Sequence, residues 1–160
     1  MRARLTSLLL SLALFVFGCG GSDSNEGSAA PSPPPLTKPQ FVKKMNDICF
    51  ANSQDQAEKV EAYKRAHDIS AAIPPLPVQE KIIVQVILPI VHETISELEE
   101  LRPPKSEEKN LKAFLRALER ATEISEKTPR LLAEPSKDYE PYMSARALAA
   151  EIGSYLCGQA

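Results

Sequence analysis

Proline sets the outer limits of what this chain can fold into. It donates no backbone hydrogen bond, and inside a helix its ring collides with the carbonyl four residues earlier, so it is confined to first helical turns and connections. Beyond residue 40 the prolines fall in groups: Pro74, Pro75 and Pro77; Pro103 and Pro104; Pro129 and Pro135; then Pro141. Four stretches long enough for helices lie between these breaks. One of them carries an internal proline, Pro89.

Each stretch has apolar residues at helical spacing. The first, about 39–70, opens with Thr37 and Gln40 at capping-box separation, and Phe41, Met45, Ile48, Cys49, Val60 and Tyr63 share a face. The middle of that face is polar, because Asn52 and Gln56 stand where apolar residues are expected. The second, about 78–101, has Ile83, Ile87, Ile90, Val91, Thr94, Ile95, Leu98 and Leu101 as its stripe. Residues 82–91 are rich enough in β-branched side chains to be read as a strand. The pattern nevertheless continues at helical spacing to Leu101, so we expect a helix, kinked at Pro89 where the bond to the Gln85 carbonyl is lost.

The third stretch, about 107–127, is expected to be capped by Ser106, with Leu111, Phe114, Leu115, Leu118, Ala121 and Ile124 inward. The fourth, about 139–157, places Tyr142, Ala145, Ala149, Ile152 and Leu156 on one face, with Gly158 as its C-terminal stop. Four helices joined by short connections predict an all-α fold, an up-down-up-down four-helix bundle over residues 41–160.

Residues 20–40 are of another kind: Gly, Ser, Ala, Pro and a few charges, with Leu36 as their one large apolar residue. Such a stretch cannot bury enough surface to fold and is expected to be a tether. Ahead of it, Arg2 and Arg4 precede an apolar run over residues 5–17, followed by Gly18 and Cys19. The run is the length of a secretory signal and too short to span a bilayer. The segment resembles a bacterial lipoprotein signal peptide. That resemblance implies cleavage after residue 18 and transfer of a diacylglycerol to the Cys19 thiol, with palmitate among the acyl groups. Residues 19–40 would then be the acylated cysteine and its disordered tether. The protein would sit at the extracytoplasmic face of the cell membrane, held by two acyl chains, enough for a stable anchor.

Without residues 1–18 the chain keeps 17 cations against 21 acids, a net charge of −4. It has no basic block, which argues against nucleic acid as a partner. The expected partners are the membrane, through Cys19, and an envelope protein or wall component.

With Cys19 assigned to lipid, Cys49 and Cys157 remain, and outside the cytoplasm such a pair is expected to be bridged. In an up-down-up-down bundle the start of the first helix and the end of the fourth are neighbours, so bridge and topology support each other. Three further features resemble a type of small actinobacterial lipoprotein of unassigned function. They are Phe41-Val42 ahead of Ile48-Cys49, the break Leu101-Arg102-Pro103-Pro104, and Tyr155-Leu156-Cys157-Gly158. This resemblance implies a helical, disulfide-linked domain and brings no activity, cofactor or catalytic residue.

The chemistry-bearing motifs are few. His67 and His92 are the two histidines. His67 lies in a polar run and is expected to be solvated. His92 has Glu93, Ser96 and Glu97 near it along a helix, but no second histidine completes H-E-x-x-H, and no Glu-x-x-His pair suits a di-iron bundle. The chain has no C-x-x-C-H, no Gly-rich phosphate loop, no G-x-S-x-G and no tryptophan. We therefore expect no catalytic residue, no metal and no cofactor, and a non-enzymatic binding or interaction module. Its alternative is a small-ligand-binding domain with an inter-helix pocket between the first and fourth helices at Asn52 and Gln56, joined by Tyr63 or Tyr155.

Overall fold

The computed structural model describes residues 34–136 and 140–158. The signal segment, Cys19 and the tether through residue 33 lie outside the described residues, as does Tyr139. Among the described residues every regular element is helical and none is a strand, which settles the ambiguity at 82–91. No described helix is long and apolar enough to cross a membrane.

Helix α1 spans Lys38–Ala66. Pro39 sits in its first turn, and the Gln40 Oε1 accepts the Thr37 amide at 3.0 Å, so the expected capping box fixes its start. Its stop is set by Asp68, which takes a left-handed φ of 54°. The Ile69 amide then reaches back to the Lys64 carbonyl at 2.9 Å. Aspartate is among the few non-glycine residues that visit this region.

The second helical run is three pieces in sequence: α2, Leu76–Ile82; a π-helical turn, Ile83–Ile87; and α3, Leu88–Glu99. Here the structure refines the expected kink. Pro89 has no N–H to offer the Gln85 carbonyl and its ring excludes that group. The ladder widens just before it, with the Leu88 amide bonding to the Ile83 carbonyl five residues back. A π turn inserts one extra residue, which rotates the following face by about 100°. Ile82, Ile83, Val86 and Leu88 are consequently buried, while Ile87 is only half-buried.

Helix α4 spans Glu108–Lys127. Ser106 does not cap it. The Glu107 amide closes a turn onto the Pro104 carbonyl at 2.8 Å, which carries Ser106 out to the surface and leaves buried Glu107 at the cap position. A four-residue helix α5, Arg130–Ala133, follows, then α6, Met143–Ile152.

Helix α6 ends five residues earlier than expected. Gly153, not Gly158, takes the left-handed conformation, with φ 93°. The Ser154 amide bonds to the Ala149 carbonyl at 2.9 Å and the Gly153 amide to that of Ala150 at 3.0 Å, the paired bonds of a Schellman stop. Cys157 lies instead on a separate 3₁₀ turn, Leu156–Gly158.

Helix α1 packs against α3, α3 against α4, and α4 against α6; the 3₁₀ turn brings the chain back onto α1. The main core joins Phe41, Met45 and Cys49 to Leu98, Leu111, Phe114, Ala145, Ala149, Ile152 and Cys157. A smaller cluster joins Ile82, Val86 and Ile90 to half-buried Val60, Tyr63, Val78 and Ile87.

The Cys49–Cys157 disulfide closes the bundle across 108 residues, with the two Cα atoms 5.1 Å apart. Beside it, Asn46 Oδ1 accepts from the Ser154 hydroxyl at 3.0 Å and the Leu156 amide at 3.2 Å, fixing the returning turn on α1. The segment entering α1 is fastened as well. The Leu36 amide bonds to the Arg102 carbonyl at 2.9 Å, and Lys38 pairs with Glu107 at 2.8 Å.

Candidate functional site

A cavity of about 150 Å³, open to solvent on one side, lies among α1, α3, α4 and α6. Helix α1 contributes Cys49, Asn52, Ser53 and Gln56. Opposite are Ile87 of the π turn with Ile90, Val91 and Thr94 of α3, and Phe114 and Leu118 of α4. Leu132, Tyr142, Ala145, Arg146 and Cys157 complete the wall, so both disulfide cysteines line it.

The cavity exists because of local sequence. Close packing leaves few voids larger than a water molecule inside a protein, so a pocket of this volume marks a place where packing is interrupted. Helix α1 presents Asn52 and Gln56 where Cys49, Met45 and Phe41 present bulk about one, two and three turns before Asn52. Both amides are half-buried and reach solvent, so the interior is not filled from this side. From the other side, α6 offers Ala145, a side chain too short to cross the gap.

The polar groups deeper in the wall are satisfied internally. Thr94 donates to the Ile90 carbonyl at 2.8 Å. Thr122 donates to the Leu118 carbonyl at 2.9 Å, and Ser125 to that of Ala121 at 2.9 Å. The Thr122 hydroxyl proton is thereby used, so the Tyr142 hydroxyl, 3.2 Å away, is the donor between them. Burial pushes the Tyr142 phenol above its ordinary pKa, against the pull of its bonds to Thr122 and Ser125, and it stays neutral across the physiological range. No buried side-chain nitrogen or oxygen among the described residues lacks a partner.

The mouth is different. Asn52 donates to Glu97 Oε2 at 2.7 Å, which turns Glu97 toward α1 and away from His92. Arg146 is the single charged residue among the described residues lining the cavity, and its Nη1 sits 3.4 Å from Glu140 Oε2.

Of the residues expected at an inter-helix pocket, the structure brings Asn52 and Gln56 to one cavity and leaves Tyr63 and Tyr155 out of it. Tyr63 stacks on His67, ring centroids 4.1 Å apart, in a shallow groove beside Pro89. Tyr155 is 69% exposed, because α6 has already ended at Gly153 and the turn that follows buries Ser154 and Cys157 instead. The tyrosine in the wall is Tyr142. Sequence reasoning placed it on the inward stripe but not at the cavity, and it missed Arg146. The available signal was spacing: Arg146 is four residues after Tyr142 and three before Ala149, a cation on the edge of an apolar stripe.

His92 is paired across helices, its Nε2 2.7 Å from Glu126 Oε1, with both side chains about half exposed. Ser96 donates to the His92 backbone carbonyl at 3.1 Å and not to the ring. His67 is exposed and its Nδ1–H donates to the Tyr63 carbonyl at 2.9 Å. Among the described residues no group of three or more histidine, cysteine, aspartate or glutamate side chains is placed to hold a metal ion. No protein-family model, curated protein or solved structure matches this chain.

Proposed function

We propose that this protein is a lipid-anchored, extracytoplasmic, non-enzymatic binding module whose ligand site is the cavity between α1 and α6. The observation that carries this reading is the cavity itself, which lies where Asn52 and Gln56 interrupt the apolar face of α1. A pocket with apolar walls and a few convergent polar groups is the usual form of a small-ligand site. In this reading the long helices alternate in direction as an up-down-up-down four-helix bundle. The Cys49–Cys157 bridge holds one wall of the site. Cys19 carries the acyl anchor that keeps the domain at the membrane.

Two experiments test the two halves of this reading. Alkyne-palmitate fed to the native host should label the wild-type protein and not a Cys19→Ser variant; equal labelling removes the anchor. Replacing Asn52 and Gln56 together by Leu should raise thermal stability by about 1 kcal/mol through added apolar burial. The same double variant should lose any melting shift that a small-molecule library induces in the wild type. A shift that survives it places binding elsewhere.

A second reading, docking to an envelope protein, is favoured by apolar side chains left outside the core near the bridge. Phe50 is 53%, Tyr155 69% and Leu156 38% exposed. Phe50 lies one turn beyond Asn46, whose side chain holds the Leu156 amide, so the residues share one end of the molecule. Crosslinking in the native host, with Phe50→Ser as control, tests it: a partner captured equally by both proteins excludes this face.

A further inference from the structure

We infer that the cavity takes a small carboxylate with a compact apolar body, the body inside and the carboxylate at the mouth against Arg146 and Gln56. This rests on the reading of the cavity as a ligand site and assigns the chemical class of the ligand.

Size fixes the body. A dry apolar cavity of about 150 Å³ holds a molecule of benzene's dimensions, and the volume here is about 150 Å³. An aromatic ring or a chain of five or six carbons fits; a full-length acyl chain or a nucleotide does not. The wall selects against a polar body, because Ile87, Ile90 and Phe114 offer no hydrogen bond and the Thr94 and Tyr142 hydroxyls already donate within the protein.

The mouth fixes the head. Arg146 supplies the only charge among the described lining residues, and its one ion pair among the described residues, to Glu140, is long at 3.4 Å and engages a single guanidinium nitrogen. A guanidinium has five N–H donors in a fork suited to a carboxylate, so donors remain for a second acceptor. The Gln56 amide, half-buried on the facing helix, adds an N–H donor. Glu140 holds Arg146 through that one long contact, and Glu97, on the α3 side, is engaged by Asn52 at 2.7 Å. A cationic head would meet Arg146 directly and be repelled.

The test uses the full-length chain with its disulfide closed and isoleucine methyls labelled with carbon-13. It is titrated separately with hexanoate, benzoate and 1-hexanol while the Ile87 and Ile90 methyl signals are followed. Hexanoate and benzoate should shift both signals and bind about tenfold more tightly than hexanol, the worth of one charge-assisted hydrogen bond. Arg146→Gln, an exposed position that leaves the core intact, should bring hexanoate to the affinity of hexanol. Val91→Phe, which fills the cavity from a half-buried position, should abolish the shifts from all three. Hexanol binding as tightly as hexanoate overturns the carboxylate and leaves the ligand site standing. No methyl shift from any of the three overturns both, as does a shift that persists in Val91→Phe.

Discussion

Helix α1 runs through two unlike environments, and the cavity lies at their border. Its first half sets Phe41, Met45 and Cys49, all almost fully buried, against side chains of α3, α4 and α6. A disulfide and the Asn46 hydrogen bonds secure that end. Its second half offers only half-buried Val60 and Tyr63 to the smaller cluster on the π turn and its neighbours. Both halves are helical and continuous, so backbone regularity alone does not measure how firmly a region is held. What distinguishes them is burial depth and the number of chain segments converging on each.

The bridge is the largest difference between the two halves. Replacing both Cys49 and Cys157 by Ser should cost about 2–5 kcal/mol of unfolding free energy, read from denaturant melts. A loss below 1 kcal/mol would mean that the surrounding packing already holds this end. Next come two truncations of similar chemistry. Leu98→Ala, in the main core, should fall near the top of the roughly 2–5 kcal/mol expected for such changes, and Ile82→Ala near the bottom, because half-buried neighbours can relax into the space. Equal losses would erase the distinction between the two clusters.

Glu107 secures the point where the chain enters the first region. Its bond to Lys38, then its bond from Asn110 at 3.0 Å, hold its carboxyl below the ordinary glutamate value, against the opposing effect of burial. Glu107→Gln should cost about 1–3 kcal/mol at neutral pH. A carboxylate with a lowered folded pKa contributes fully above its unfolded pKa, about 4.3. The gap between wild type and variant should therefore close as the pH falls through the lower folded value. A gap that persists under strong acid would assign the effect to shape and not to charge. The smallest effect is expected from Gly153→Ala. No atom crowds an added methyl there, so the cost is the left-handed backbone alone, about 1–2 kcal/mol. The change should loosen the turn that carries Cys157.

Much of this was legible in sequence because it is local. The proline groups delimit the helices, Thr37 and Gln40 start α1, and the inward stripe of α4 falls on Leu111, Phe114 and Ala121. Asn52 and Gln56 mark the cavity's position because a polar gap in an apolar stripe leaves volume unfilled. What was not legible depended on choices between near-equal local signals. Gly153 and Gly158 both suit a helix stop, and the earlier one was taken, with Ser154 buried and bonded to Asn46 in place of another helical turn. That choice took Tyr155 out of the interior. The π turn was likewise hidden: Pro89 announces a disturbance of the ladder, while its form is settled by which of Ile82, Ile83, Val86 and Ile87 the neighbours can accommodate.

The position of the disulfide in the chain has a mechanical side. Tension applied between the N-terminal side of the domain and its C-terminal end runs along the first turns of α1 to Cys49 and crosses through the sulfurs to Cys157. The helices between those two residues hang on the load path as a closed loop and bear none of the force. A pull along the chain can strip the segments outside the bridge, Phe41 and Met45 with them, but it cannot extend the loop that carries Asn52, Gln56 and Arg146 without breaking a covalent bond.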